Sequence, residues 1–445
     1  MRKTSLALAV AASTLGLSQV AFADFIGDSK ASLSMRNFYF DNDNRESQND
    51  IGNAAYTGQQ REWGQGFQLN YTSGFTEGTV GFGVDALGML GVRLDGGGRS
   101  GKAGIDRTPG ALFPLESDGS AVDEFSQLGL TAKVRISKTE GRLGTLQPKL
   151  PVVTFNDGRL LPQTFEGGMI TSKEIDNLTI NAGQLEHAVG RASTDSQSLA
   201  IAGNNNGQRS NKFYFAGGDY QVNKDLLAQY YYGNLDDFYK QHFVGLVHNL
   251  ALPAGSLKSD IRYFYSDSDG KNGSAAGRAE GYTSTGYYGG NVTRGEVDNR
   301  TFSAFFTYSL DGHALSGGYQ KVSGDSNMPF LNQGDGASVY LVTDRQITNF
   351  TRAGERTWLA QYAYDFANVG VPGLTANVAY LKGDQIKSAR GDLKEWERDI
   401  TLSYVLQDGA LKGMGFAWRN ASLRSEAASD IDQNRLIVSY TLPLL

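Results

Sequence analysis

The chain of 445 residues has no cysteine, only 9 prolines and 4 histidines, and no long apolar run beyond its N-terminus. Without cysteine there are no disulfides and no thiolate metal sites. The histidines are His187, His242, His248 and His313. His242 and His248 share a strand face but lie six residues apart, and His313 sits in a tight turn. No G-x-S-x-G elbow, H-E-x-x-H pair or phosphate-binding P-loop accompanies them, and Asp325-Ser326 is an ordinary turn dipeptide. The sequence therefore gives no support to an enzyme, a bound cofactor or a metal site. The richest apolar stretch, residues 80–92, is interrupted by Asp85 and by Gly81, Gly83, Gly88 and Gly91. No helix of that composition can cross a bilayer, so a membrane-resident product has to be a closed β-barrel, the other structure that satisfies every backbone group internally.

Against these absences stands an N-terminal export signal. Arg2 and Lys3 precede an apolar segment from Leu6 to Leu17, and Ala21-Phe22-Ala23 supplies the small-x-small cleavage pattern. The expected organisation is a signal peptide over residues 1–23 and one barrel domain over 24–445. Removing 23 residues from 445 leaves 422, long for a single soluble sandwich. Without Arg2 and Lys3 the 41 basic residues become 39 against 47 acidic, a formal charge of −8 that argues against a nucleic-acid partner. Fifty-six glycines, 22 tyrosines and 23 phenylalanines with few prolines suit a barrel with one lipid face and one wet face.

From about Ser32 onward, segments of roughly ten residues alternate apolar with polar or small residues. Leu128, Leu130, Ala132, Val134 and Ile136 oppose Gln127, Gly129, Thr131, Lys133 and Arg135. Trp358, Ala360, Tyr362 and Tyr364 oppose Thr357, Gln361 and Ala363, and Trp396, Ile400, Leu402 and Tyr404 oppose Glu395, Glu397, Asp399 and Thr401. Side chains alternate faces along a strand, so each segment carries a lipid-compatible stripe and a solvated one. Aromatics at stripe ends (Tyr39, Tyr71, Tyr308, Tyr404, Tyr440) stand where interfacial girdles belong, which favours a membrane barrel over a soluble sandwich.

Short turns at residues 308–313, 369–373 and 407–409 alternate with longer connections at 95–121, 149–168, 266–298, 324–352 and 424–430. At ~23 residues per strand and connection, the mature chain holds about 18 strands. The fold class is all-β: a transmembrane antiparallel barrel in the outer membrane, surrounded by its lipids, as a monomer or weak homotrimer. A plugged receptor is disfavoured because no plug-sized segment precedes the first strand.

Met35-Arg36-Asn37-Phe38-Tyr39-Phe40, residues 80–86, Lys133-Val134-Arg135-Ile136-Ser137-Lys138-Thr139, Arg159-Leu160-Leu161-Pro162-Gln163-Thr164, residues 319–322, 370–375 and 435–438 resemble, in order, stretches of the OprD-type (Occ) outer-membrane channels of pseudomonads. The resemblance implies third and seventh outer loops that fold inward to narrow the pore. It also implies a row of basic residues that draws in carboxylates. The third loop corresponds to residues 149–168, with Asp157 and Arg159 as constriction candidates. The seventh corresponds to 324–352, with Asp335, Ser338 and Tyr340. Strand parity independently turns Arg36, Lys133, Arg135, Arg142, Arg262, Arg419 and Arg435 inward. A positive path in a low-dielectric enclosure concentrates anions, and guanidinium grips a carboxylate in a two-pronged fork. Where family members that favour basic amino acids carry further arginines, this chain has Gln361, Ala379 and Ala417, which thins the row. The expected function is diffusion of small carboxylate-bearing solutes such as amino acids and aromatic or other organic acids; the alternative is a general nonselective pore.

Overall fold

A computed structural model describes residues 25–45, 50–51, 54–55, 57–204, 207–289, 293–332 and 338–445. The expected signal peptide and Asp335 lie outside the described residues. Eighteen antiparallel strands close into a barrel. In chain order they are β1 Lys30–Asn44, β2 Gln59–Thr72, β3 Val80–Asp95, β4 Glu124–Ile136, β5 Thr139–Leu146 and β6 Thr164–Ser172. Then come β7 Leu178–Val189, β8 Phe213–Asn223, β9 Leu226–Leu235, β10 Tyr239–Ala251, β11 Ser256–Ser268 and β12 Asp298–Leu310. The last six are β13 His313–Gly324, β14 Arg356–Asp365, β15 Leu374–Ile386, β16 Leu393–Val405, β17 Gly415–Ser425 and β18 Ile431–Pro443. Closure comes from β1, which pairs with β2 on one side and with β18 on the other, Ser32 opposite Pro443 through Asn44 opposite Ile431. Among the described residues the barrel has no unpaired edge, as lipid demands.

The register follows the sequence alternation. Leu130 is 58% exposed on the outer surface while its near neighbour Lys133 is 4% exposed inside. A slip of one residue would exchange them and bury apolar stripes in the lumen. Strands tilt steeply: the hydrogen-bonded row through Tyr39, Leu436, Trp418, Leu402, Ala376 and Tyr364 starts near the outer part of β1 and arrives at the last turn-proximal residues of β14.

One end carries short turns, such as Asp311-Gly312 between β12 and β13, where both residues take positive φ (48° and 82°). A left-handed pair is what a two-residue hairpin needs. The long connections gather at the other end. Two expectations about them are corrected. Residues 424–430 do not form a long loop, because β17 runs through Ser425 and only five residues remain before Ile431. A long loop that the pattern did not separate runs over 190–212, between β7 and β8, and touches the seventh: Ile201 bridges Leu331.

The lumen is not an open cylinder. The third loop, 147–163, and the seventh, 325–355, fold into it with the 190–212 loop. Val152, Leu199, Ile201, Phe330 and Leu341 form an apolar cluster with the inward faces of β7 to β11, including Phe213, Tyr231, Phe243 and Phe264. A second cluster joins Leu160 and Leu161 to Phe38, Phe40 and Met89 on the wall and to Leu112 and Phe113 of the 96–123 loop. Gly64 and Gly66 admit that approach. A Cβ on Gly64 would meet Phe113 at 2.6 Å and Leu160 at 2.8 Å, and one on Gly66 would meet the Leu160 carbonyl at 3.0 Å. The inward stripe is therefore apolar where a loop covers it and polar where the passage remains.

Candidate functional site at the constriction

Three wall side chains fasten the loops. Glu397 on β16 is fully buried, and its carboxylate accepts hydrogen bonds from the Ile347 and Thr348 amides at 2.9 Å each. Arg36 on β1 forks onto Asp157 (2.8 and 3.1 Å) and donates to the Arg159 carbonyl at 2.7 Å. Arg435 on β18, 5% exposed, donates to Gln346 O at 2.7 Å in the seventh loop and reaches Gly158 O at 3.5 Å in the third. Charge-assisted bonds of this kind are about twice as strong as neutral ones, and each anchors loop backbone that has no strand partner.

Between the loops and the wall of β15 to β18 lies a cavity of about 410 Å³. The third loop contributes Asn156 to Arg159, the 190–212 loop Arg191, and the seventh loop Ser338 and Asp344 to Thr348. The wall contributes Asn377, Ala379, Asp399, Thr401, Arg419 and Arg435. Five guanidinium groups thus face three carboxylates, Asp157, Asp344 and Asp399. Arg419 makes no hydrogen bond or ion pair to any described residue, although Arg36, Asp157 and Asp399 lie within electrostatic reach. Burial pushes the Asp344 carboxyl up to about 7, against the Val339 amide and the charges of Arg345 and Arg191 that favour its ionised form.

The inward basic row divides. Arg36, Arg419 and Arg435 meet at the constriction. Arg262 forks onto Asp260 (2.8 and 2.7 Å) and lies 3.9 Å from the centre of the Tyr340 ring, which also packs edge-on against Phe243. Arg142 pairs with Glu140 at 2.5 Å. Lys133 pairs with Asp85 at 2.7 Å, donates to Ser73 O, and shares the Phe75 ring with Arg135 at 4.7 and 4.2 Å. Of the loop candidates, Asp157, Arg159 and Ser338 line the cavity, whereas Tyr340 lies against the wall beneath Arg262. Arg159 stacks on Phe40 at 4.5 Å.

The sequence reading missed Arg191, Asp344 and Arg345, which stand in loops without periodicity. Strand parity turns Asp399 and Thr401 inward, and their place midway along the strand is the signal that marks them. Of the three departures from the basic row, Ala379 lines the cavity, and it pairs with Gln361.

A family model described as outer membrane porin, OprD family, matches residues 23–444. The chain belongs to the OprD family of outer-membrane porins. It is 35% identical to the porin-like protein GalP of Pseudomonas putida over 424 residues, 95% of this chain and 93% of that one. Among solved structures, Pseudomonas aeruginosa OccK8 (OprE) matches with a TM-score of 0.87 and 62% identity, covering 95% of this chain and all of that one. Pseudomonas aeruginosa OpdK with vanillate matches at 0.81 and 35%, covering 94% and 100%. This OprD-family porin is therefore a channel of the outer membrane and not an enzyme, with its short turns on the periplasmic side.

Proposed function

We propose that this porin passes small carboxylate-bearing solutes, which it draws to the guanidinium cluster at the constriction. The single observation that carries the reading is Arg419: a guanidinium at the cavity wall with no hydrogen-bond or ion-pair partner among the described residues, paired in register with Arg435 and lining the same cavity as Arg159 of the third loop. An unpaired guanidinium offers a fork of donors to an incoming carboxylate, and a narrow enclosure strengthens the attraction over that in bulk water. Among the described residues that line the cavity, five arginines stand against three aspartates. OpdK has been solved with vanillate, an aromatic carboxylate, which is in keeping with this chemistry.

One observation favours a general diffusion pore: Lys133, Arg142 and Arg262 are already neutralised by acids on the wall. On the carboxylate reading those three act as structural pairs and selection falls to the constriction alone. Liposome swelling with benzoate and a neutral solute of equal size separates the two. The wild type is expected to pass benzoate faster, and Arg419→Gln to reduce that preference several-fold while sparing the neutral rate. A wild type that passes both solutes at the same rate makes the protein a general pore, and an unchanged preference in the variant removes Arg419 from the site.

A further inference from the structure

The outward face holds a second cationic cluster, unrelated to the pore. Lys321, Arg356, Lys382 and Arg398 lie on the four consecutive strands β13 to β16, in the half nearer the long loops, and all four are exposed. Each belongs to the lipid-facing parity of its strand, shared with Tyr319, Trp358, Tyr380 and Ile400. Lys321 is paired directly with Arg356, Lys382 with Trp358, and Arg398 with Tyr380. From Lys321 to Arg398 the positions step down the strands as the tilted rows climb, so the four stand at a common height around the barrel. Two residues nearer the periplasm on the same strands come Tyr319, Trp358 and Tyr380, with the first two rings 4.7 Å apart. An aromatic row of this kind marks the headgroup boundary of a bilayer. The cations therefore stand in the headgroup layer of the outer leaflet.

Their charge is not balanced within the chain. Among the described residues none of the four makes an ion pair; Arg398 donates only to the neutral Asn420 and Ser422 at 3.1 Å. Asp384 pairs in register with Arg356 but forms no salt bridge with it, leaving a local charge of about three. The neighbours in the same belt are compensated: Arg300 is bonded to Asp298 and Arg424 to Asp432. Like charges directly opposite on adjacent strands repel, and Lys321 with Arg356 is such a pair. An external polyanion relieves the repulsion.

We propose that Lys321, Arg356, Lys382 and Arg398 bind the phosphorylated headgroup of an outer-leaflet glycolipid. Arginine forks and lysine point charges suit phosphate oxygens, and the Trp358 and Tyr380 rings below them lie against the first part of the acyl region. The site anchors one lipid to one sector of the wall and leaves the constriction untouched.

The test uses the full-length folded porin in detergent, titrated by native mass spectrometry with diphosphorylated lipid A, with the same lipid after enzymatic removal of its phosphates, and with inorganic phosphate in excess as competitor. Lipid A is expected to bind the wild type at least ~10-fold more tightly than K321Q/R356Q/K382Q/R398Q, since basic residues at a headgroup surface each add appreciable affinity for anionic lipid. The K321Q/K382Q pair is expected to fall between them, and it serves alone if the fourfold variant does not fold. Dephosphorylated lipid A should bind wild type and variants equally, and excess phosphate should not displace lipid A. Equal affinity of wild type and variants for lipid A overturns the site. Displacement by inorganic phosphate overturns the lipid and leaves a free-anion site. Single-channel conductance should be the same in all proteins, because none of the four side chains faces the lumen.

Discussion

Arg36, Arg419 and Arg435 share one wall and differ in what holds them. Arg36 and Arg435 are committed to loop carbonyls and to Asp157, so removing either loosens a loop as well as deleting a charge. Arg419 alone is unattached. Asp344 faces the loop arginines Arg345 and Arg191 instead. Its carboxyl is partly open to the cavity but surrounded by enough protein that burial pushes it up to about 7 from an ordinary 3.8. An acid whose folded value is raised binds an extra proton in the native state between those two values. The packing it contributes is complete below about pH 4, declines as pH rises, and is fully lost above about pH 7. The same titration places a new negative charge beside Arg345 and Arg191. Benzoate permeation relative to a neutral solute is thus expected to fall between pH 6 and 8, and Asp344→Asn to hold the acidic ratio at pH 8. Liposome-swelling assays at the two pH values check this; an identical fall in the variant removes Asp344 from the explanation. At this scale the sequence was half legible. Parity turned Arg36, Arg419 and Arg435 inward correctly because a strand has only two faces. It could not distinguish free Arg419 from Lys133, whose partner Asp85 lies on the neighbouring strand, nor find Arg191 and Arg345, since a loop side chain has no period that aims it.

The elements were easier to read than their side chains. The strands carry alternation because lipid on one side and solvent or loop on the other impose it continuously. Phe38, Phe40, Phe213 and Phe264 break that pattern by pointing inward, and each is buried where a loop covers the wall. These exceptions were the sequence's record of inward loops, though without a resemblance to a known family they read only as noise. The third loop enters because Leu160 finds the glycine-lined wall at Gly64 and Gly66, and Arg36 then clamps Asp157. Asn156, Asp157, Gly158 and Arg159 are the parts of it that narrow the passage. Deleting residues 152–157 removes the clamp and part of the apolar cluster while sparing every barrel strand. Single-channel conductance is expected to rise, roughly two-fold or more if the cavity is the main resistance, and the strand signal in circular dichroism to persist. Unchanged conductance would place the bottleneck elsewhere, with the seventh loop and its Glu397 tether the next place to look.

For the molecule as a whole, the formal charge of −6 on the chain and the arginine-rich constriction are compatible because a barrel separates its surfaces. Charges on the outer loops face bulk electrolyte and are screened within ~10 Å at 0.1 M salt. Those at the cavity face a low-dielectric wall, so their field reaches a solute that must pass between them. Net charge consequently says little about which ions the pore prefers, and the disposition of a few arginines says much. If the preference for benzoate over an equal-sized neutral solute is electrostatic attraction at the constriction, it should shrink as salt rises from 0.1 M to 1 M, where the screening length falls to ~3 Å. It should not vanish, since a carboxylate held directly in the fork of Arg419 stays in contact at any ionic strength. Arg419→Gln is expected to lose that residual part and retain only the salt-sensitive share contributed by Arg159, Arg191, Arg345 and Arg435. The measurement is the ratio of benzoate to equal-sized neutral-solute flux into proteoliposomes across the salt series, for wild type and variant side by side. A wild-type preference that stays flat with salt would locate selection in shape rather than charge. A preference that disappears by 1 M would leave the field of the cluster in place and remove the direct grip of Arg419 from the mechanism.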